Sequence, residues 1–270
     1  MSEVFKKYVP ATYTYIAARN LDIVKAAQAL GISATAIGAA IAKENDAYET
    51  RQGAVRFLDR RLDDYVKLQT YRLGDTMLRS EATAATALGL DEQLKGTAGK
   101  ALKFAFPTLA DVGIANIKVS TAIKLLDDYL ANYPADPLEL TAYRNDTGRF
   151  VRDLIDPDKP VTALISALMV KEAQDFYLKP AVDAQGHQLN IDAATWGAMS
   201  PEVRDGLTTM YFTMGKNVME AKRTDNIMAT ASMTHDSARV TAVVCGRSRM
   251  RQKSVQRWAS QATVKHPLTG

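Results

Sequence analysis

Apolar residues recur at three- and four-residue intervals along most of this chain, the spacing that lines one face of an α-helix. Ile23, Val24, Ala26, Ala27 and Leu30 form one such stretch, entered through Asn20-Leu21-Asp22 and closed by Gly31. Ser33 is placed to cap the next, Ala34 to about Lys43, whose face carries Ile37, Ala40 and Ile41. The pattern returns over 54–73, with breakers over 88–99, and again over 120–132, where Ser120 or Thr121 would cap and Pro134 would stop the helix. Pro160 opens a stretch running to Leu178, with Leu164, Ile165, Leu168, Met169, Ala173, Phe176 and Tyr177 at helical spacing. A last one runs from Pro201 to about Glu220, with Ser200 as cap and proline in the first turn. Strand patterns are confined to Val112–Lys118 and Arg239–Cys245, and Asp183–His187 has turn composition. These features predict a mainly α fold with little β structure, a helical domain over 1–222 and a basic extension over 223–270.

With 47% hydrophobic and 24% charged residues, the 270-residue chain has the make-up of an ordinary globular protein, which excludes a disordered or collagen-like one. Cys245 is the only cysteine, so neither an internal disulfide nor a four-cysteine zinc site is available. His187, His235 and His266 are scattered, and no metal-ligand spacing or phosphate-binding loop is found, so no metal and no cofactor are expected. No apolar run reaches signal-peptide or membrane-spanning length, which predicts a chain made in the cytoplasm without membrane insertion. The net charge of +4 is uneven. Residues 237–270 hold seven Lys or Arg and no Asp or Glu, leaving 27 basic against 30 acidic residues in the rest. Such an end suits a polyanion, although a solvated tail has the same composition.

Three segments carry residues with chemical potential. In the first, Ile32 to Tyr48, an apolar helix of small residues delivers Glu44 near its C-terminal end. The negative end of the helix dipole and partial burial both disfavour an ionised carboxylate there, and a carboxyl kept neutral can act as a general acid. An exposed Glu closing a core helix gives the same pattern. In the second, Asp111 to Ala122, Gly113 permits close backbone approach and Asn116 offers a donor and an acceptor just before a helix. A plain turn before a helix reads the same way. In the third, Met199 to Gly215, methionines and aromatics at helical spacing fit a core as well as a binding face.

Taken in order, these segments resemble the lysozyme-like superfamily of lytic transglycosylases and goose-type lysozymes. Its members carry an apolar helix ending in Glu-Ser-x-Phe/Tyr, then Gly-Leu-Met-Gln-Ile before a helix, then Tyr-Asn-x-Gly on a late helix. The matching residues here are Glu44-Asn45-Asp46-Ala47-Tyr48, Gly113-Ile114-Ala115-Asn116-Ile117 with Ser120-Thr121-Ala122, and Tyr211-Phe212-Thr213-Met214-Gly215. The resemblance spans about 32–215 and is nearest to the cell-wall-degrading domains of type VI secretion effectors and some phage enzymes. Asn45 replaces the family Ser, Asn116 is one methylene shorter than the family Gln, and Phe212 falls where the family tyrosine usually stands.

The resemblance implies a muramidase that cuts the β-1,4 bond between N-acetylmuramic acid and N-acetylglucosamine in peptidoglycan glycan strands. Glu44 would be the general acid and Asp111 the second carboxylate of a hydrolase. Tyr48, Gly113, Asn116 and Tyr211 would contact substrate. A lytic transglycosylase on the same bond needs no second carboxylate, because a muramyl hydroxyl attacks. The resemblance also implies an antibacterial toxin delivered to the periplasm of a target cell, with an immunity protein and a secretion-machine component as partners and no nucleic acid. A non-catalytic all-α polyanion-binding module is the alternative from another class. Arg60-Arg61 with Asp63-Asp64 reads as a solvated helix face, and Tyr143 to Phe150 as a substrate-contacting loop or a plain turn.

Overall fold

The computed structural model describes residues 10–49, 53–88, 103, 105–182 and 190–214, with the backbone alone at 47–49, 53–59, 86, 213 and 214. The basic extension over 223–270, the strand expected at 239–245, the turn at 183–187, Gly215, Cys245 and all three histidines lie outside the described residues, as does most of the stretch 88–99. Among the described residues the chain is mainly helical, as its periodicity predicts. It divides into two compact units, one from Lys7 to Met169 and one from Val170 onward.

In the first unit, α1 (Pro10–Ala18) and α2 (Asn20–Leu30) both pack on α3 (Ala34–Glu49). The face of α3 formed by Ala36, Ile37, Ala40 and Ile41 is fully buried. Alanine keeps helix propensity high while adding little bulk between neighbours. Gly31 ends α2 in the left-handed conformation (φ 63°), and the Ser33 hydroxyl accepts the Ala36 N–H at 3.3 Å. Both roles follow from the sequence. The sequence pattern misses α1, because Ala-Thr-Tyr-Thr-Tyr alternates with strand-like period and only burial of Thr12 and Tyr15 settles it as helix.

A second group comprises α4 (Gly53–Arg72), α5 (Asp75–Ala87), α6 (Val119–Asn132) and α7 (Thr147–Ile155). Here α4 packs on α7, and α5 on α6. The segment expected as a loop over 143–150 contains the start of α7. Asp146 caps that helix by accepting the Arg149 N–H at 2.9 Å, and Phe150, Val151 and Leu154 are fully buried. Helix α6 begins at Val119, one residue earlier than the proposed caps, so Ser120 lies inside the first turn and makes no cap. Its N-cap position is Lys118, the last residue of a strand, so strand and helix join without a linker.

Charged groups tie this second group together. Asp75 accepts the Thr147 N–H and pairs with Arg79 at 3.3 Å, while Arg79 also pairs with Asp127 on α6 and donates to the Arg144 carbonyl at 3.1 Å. Burial opposes the Asp75 charge, but the hydrogen bonds from Thr147 and the Arg79 charge outweigh it and hold the carboxyl below its ordinary 3.8. Asp136 is likewise lowered: burial is outweighed by the Thr141 and Leu140 N–H groups (2.8 Å each) and the Tyr129 hydroxyl. Burial pushes Tyr15, Tyr129 and Tyr143 the other way, up to about 12.

The sign follows from linkage. A lowered carboxyl contributes stability that is complete above its unfolded value and lost as pH falls through the folded one; a raised tyrosine contributes stability that is lost as pH climbs through its folded value. The urea midpoint is therefore expected to be flat between about pH 5 and pH 9 and to fall on both sides. Asp75→Asn should lower the plateau and soften the acid limb. An unchanged profile would show that the Asp75 pairing adds nothing.

In the second unit, the later half of α8 (Val161–Leu178) is followed by α9 (Ala193–Ala198) and α10 (Pro201–Met214). Ala173 and Tyr211 are buried together, with Phe176, Tyr177 and Met210 packed against them. Tyr177 stacks on Trp196 at 6.0 Å and donates its hydroxyl to the Leu207 carbonyl at 3.3 Å. Ser200 caps α10 as its position predicts, accepting the Val203 N–H at 3.4 Å.

Candidate functional site

The local structure with the most specific geometry is a short antiparallel hairpin in the first unit. Strands β1 (Asp111–Val112) and β2 (Ile117–Lys118) pair Asp111 with Lys118 and Val112 with Ile117. Val112 and Ile117 are buried, and the Val119 N–H donates to the Ala110 carbonyl at 3.0 Å as the chain enters α6. The four-residue loop Gly113–Asn116 closes with a bond from the Asn116 N–H to the Gly113 carbonyl at 3.1 Å. Both ends of the loop are left-handed, Gly113 at φ 65° and Asn116 at φ 49°. Glycine adopts that conformation freely and asparagine tolerates it, whereas most side chains do not.

The sequence suggests that Gly113 admits a ligand. In the structure the close approach is made by the chain itself. A Cβ at Gly113 would stand 2.9 Å from the Leu154 carbonyl oxygen at the end of α7. On the other side the Gly113 N–H donates to Asp63 Oδ1 on α4 at 3.3 Å. Upstream, Glu81 on α5 accepts both the N–H and the hydroxyl of Thr108, at 3.0 and 2.7 Å, pinning the 3-10 turn Pro107–Leu109 that leads into β1. The hairpin is therefore fixed from three helices. Asp111 is half-buried at its base, with the Lys103 ammonium on its carboxylate.

Glu44 lies elsewhere on the first unit. Helix α3 continues to Glu49, so Glu44 is not at the helix end, and the dipole argument acts on the turn beyond it. It is half-buried, while its neighbours Asn45 and Asp46 are only 1% and 7% exposed. Two consecutive buried polar residues in the last third of an alanine-rich helix are unusual for a packing role alone. The Asp46 charge reaches Tyr13 on α1, whose hydroxyl is raised first by burial and then by that carboxylate. Tyr48 belongs to the same helix, and its side chain lies outside the described residues.

The helix that carries Glu44 packs on α1 and α2, whereas β1, with Asp111, packs on α4 and β2. Among the described residues the main packing neighbours of the two elements differ. A pocket of about 480 Å³ opens along α5 from Asp75 to Ala87, and none of Glu44, Asp111, Tyr48, Gly113, Asn116 and Tyr211 lines it. Tyr211 is in the second unit, 3% exposed, its ring 5.0 Å from that of Phe176. In that position it serves packing, with little of the ring left to face a sugar.

Sequence reasoning misses Lys103, Glu81, Thr108 and Asp63. The first three stand in segments without a motif. Asp63 is assigned by composition to a solvated face; Arg60, Arg61 and Asp64 are exposed as expected, but Asp63 is half-buried and bonded to Gly113. Among the described residues no three His, Cys, Asp or Glu are grouped to hold a metal ion, and no helix is long and apolar enough to cross a membrane. Comparison with known protein families, with curated proteins and with solved structures finds no match to this chain.

Proposed function

We propose that this chain is a peptidoglycan-cleaving muramidase of lysozyme-like type, with Glu44 as the proton donor to the glycosidic oxygen. The observation that carries this reading is the hairpin 111–118: in a helical chain, a left-handed glycine turn leads through β2 into a helix, later in the chain than an apolar helix with a half-buried glutamate. The resemblance asks for that order. It also supplies the antibacterial role, delivery to the periplasm of a target cell, the immunity protein and the secretion-machine partner, which rest on the resemblance alone.

Cleavage needs one group to protonate the leaving oxygen and something to meet the oxocarbenium-like carbon that remains. In a hydrolase Asp111 would activate water. Its Oδ2 is paired with the Lys103 ammonium, which offsets its charge. That pairing favours the second reading, a lytic transglycosylase in which the muramyl 6-hydroxyl attacks and an anhydro sugar forms.

Digestion of purified sacculi followed by mass spectrometry of the soluble fragments separates the two. Anhydro-muramyl ends, with Asp111→Asn retaining activity within about threefold, are expected of the transglycosylase. Reducing ends, with Asp111→Asn slowed by about 10²-fold or more, are expected of the hydrolase. No soluble fragments at all from the wild type would remove both.

A further inference from the structure

Asp63 is the carboxylate whose place in the structure departs most from its place in the sequence. It stands in the middle of α4 near Arg60, Arg61 and Asp64, all three of which are exposed. Asp63 turns to the hairpin, where Oδ1 accepts the Gly113 N–H at 3.3 Å.

The loop it holds has little freedom left. The left-handed Gly113 already lies against the Leu154 carbonyl and Ile155 on the α7 side, so the loop cannot shift that way. The approach to β1 is fixed separately by Glu81 through Thr108. What Asp63 adds is the orientation of the Gly113 peptide, and through the 3.1 Å bond across the loop, the placement of Asn116. The Asp63 bond and the bond across the loop together set which way the Gly113 and Asn116 peptides face.

We infer that Asp63 is a positioning residue for substrate, holding the Gly113–Asn116 loop in the conformation that seats the glycan. This rests on the muramidase reading, which gives that loop its ligand. Displacing a binding loop by about 1 Å costs up to about 10²-fold in rate without touching the reacting groups.

The test uses the full chain as wild type, Asp63→Ala and Asp63→Asn, with kcat and KM measured on solubilised glycan strands and Gly113 amide exchange followed in parallel. Asp63→Ala is expected to lower kcat/KM by about tenfold or more, mainly through KM, and to speed Gly113 exchange at an unchanged thermal midpoint. Asp63→Asn keeps an acceptor oxygen and should recover most of the loss. If Asp63→Ala does not fold, Asp63→Glu replaces it under the same criteria, since the longer arm moves the acceptor without emptying the site. An active wild type with kcat/KM within twofold in Asp63→Ala, or in Asp63→Glu where that replaces it, overturns the positioning role and leaves the muramidase reading standing. A wild type that cleaves no glycan overturns that reading, and this inference with it.

Discussion

Glu44→Gln is expected to leave the fold intact and to slow the clearing of purified sacculi by about 10²- to 10⁴-fold, the range that a general acid supplies. Glutamine has nearly the same volume and keeps a hydrogen-bonding group in place, but it has no proton to give. The site is half-buried on a helix whose apolar face is fully buried, so the substitution exchanges one polar tip for another and asks nothing of the core. Thermal midpoints of the two proteins should agree within a few degrees. Turbidity loss of sacculi is the measurement, with both proteins at equal concentration. Equal lysis would take the proton-donor role from Glu44, and the buried carboxylate two residues on, Asp46, would be the first to examine.

Gly113→Ala is expected to destabilise the first unit by about 2–4 kcal/mol. Two costs add. Alanine at φ 65° is strained by about 1 kcal/mol, and its methyl would sit 2.9 Å from a backbone carbonyl at the end of α7. That carbonyl, of Leu154, also accepts the Thr162 hydroxyl at 2.6 Å, so it is not free to swing away. Gly38 is the internal comparison: it lies in α3 with nothing within 4 Å of an added Cβ. Gly38→Ala should stabilise by about 0.5–1 kcal/mol, through helix propensity and a less flexible unfolded chain. Urea denaturation of the two variants against wild type reads the difference directly. A Gly113→Ala midpoint equal to wild type would mean that the hairpin can slide away from α7.

Much of the helical framework was legible in the chain. The glycine stop at Gly31, the caps at Ser33 and Ser200, and the runs over 54–73 and 160–178 are local: each depends on residues within one or two turns of each other. The single strand expected at Val112–Lys118 is instead an antiparallel hairpin, because 113–116 form its loop and only Val112, Ile117 and Lys118 of that stretch lie in strands. Helices α1, α5, α7 and α9 were not legible. Helix α1 has an alternating pattern and α7 begins in turn composition, and α5 and α7 are held by the faces they bury against α6 and α4.

The candidate site divides along the same line. The chain by itself determined the segments: an alanine-rich helix bearing Glu44, a glycine turn leading into a helix, and an aromatic late helix. Tertiary structure alone decided what surrounds each group. It set Lys103 on Asp111, carried α3 past Glu44, buried Tyr211 and turned Asp63 from an apparent surface charge into the anchor of the Gly113 loop. The reason is distance along the chain. Caps and stops are bonds between near neighbours, whereas the bond from Gly113 to Asp63 joins residues 50 apart, and no local pattern encodes which helix face will meet which turn.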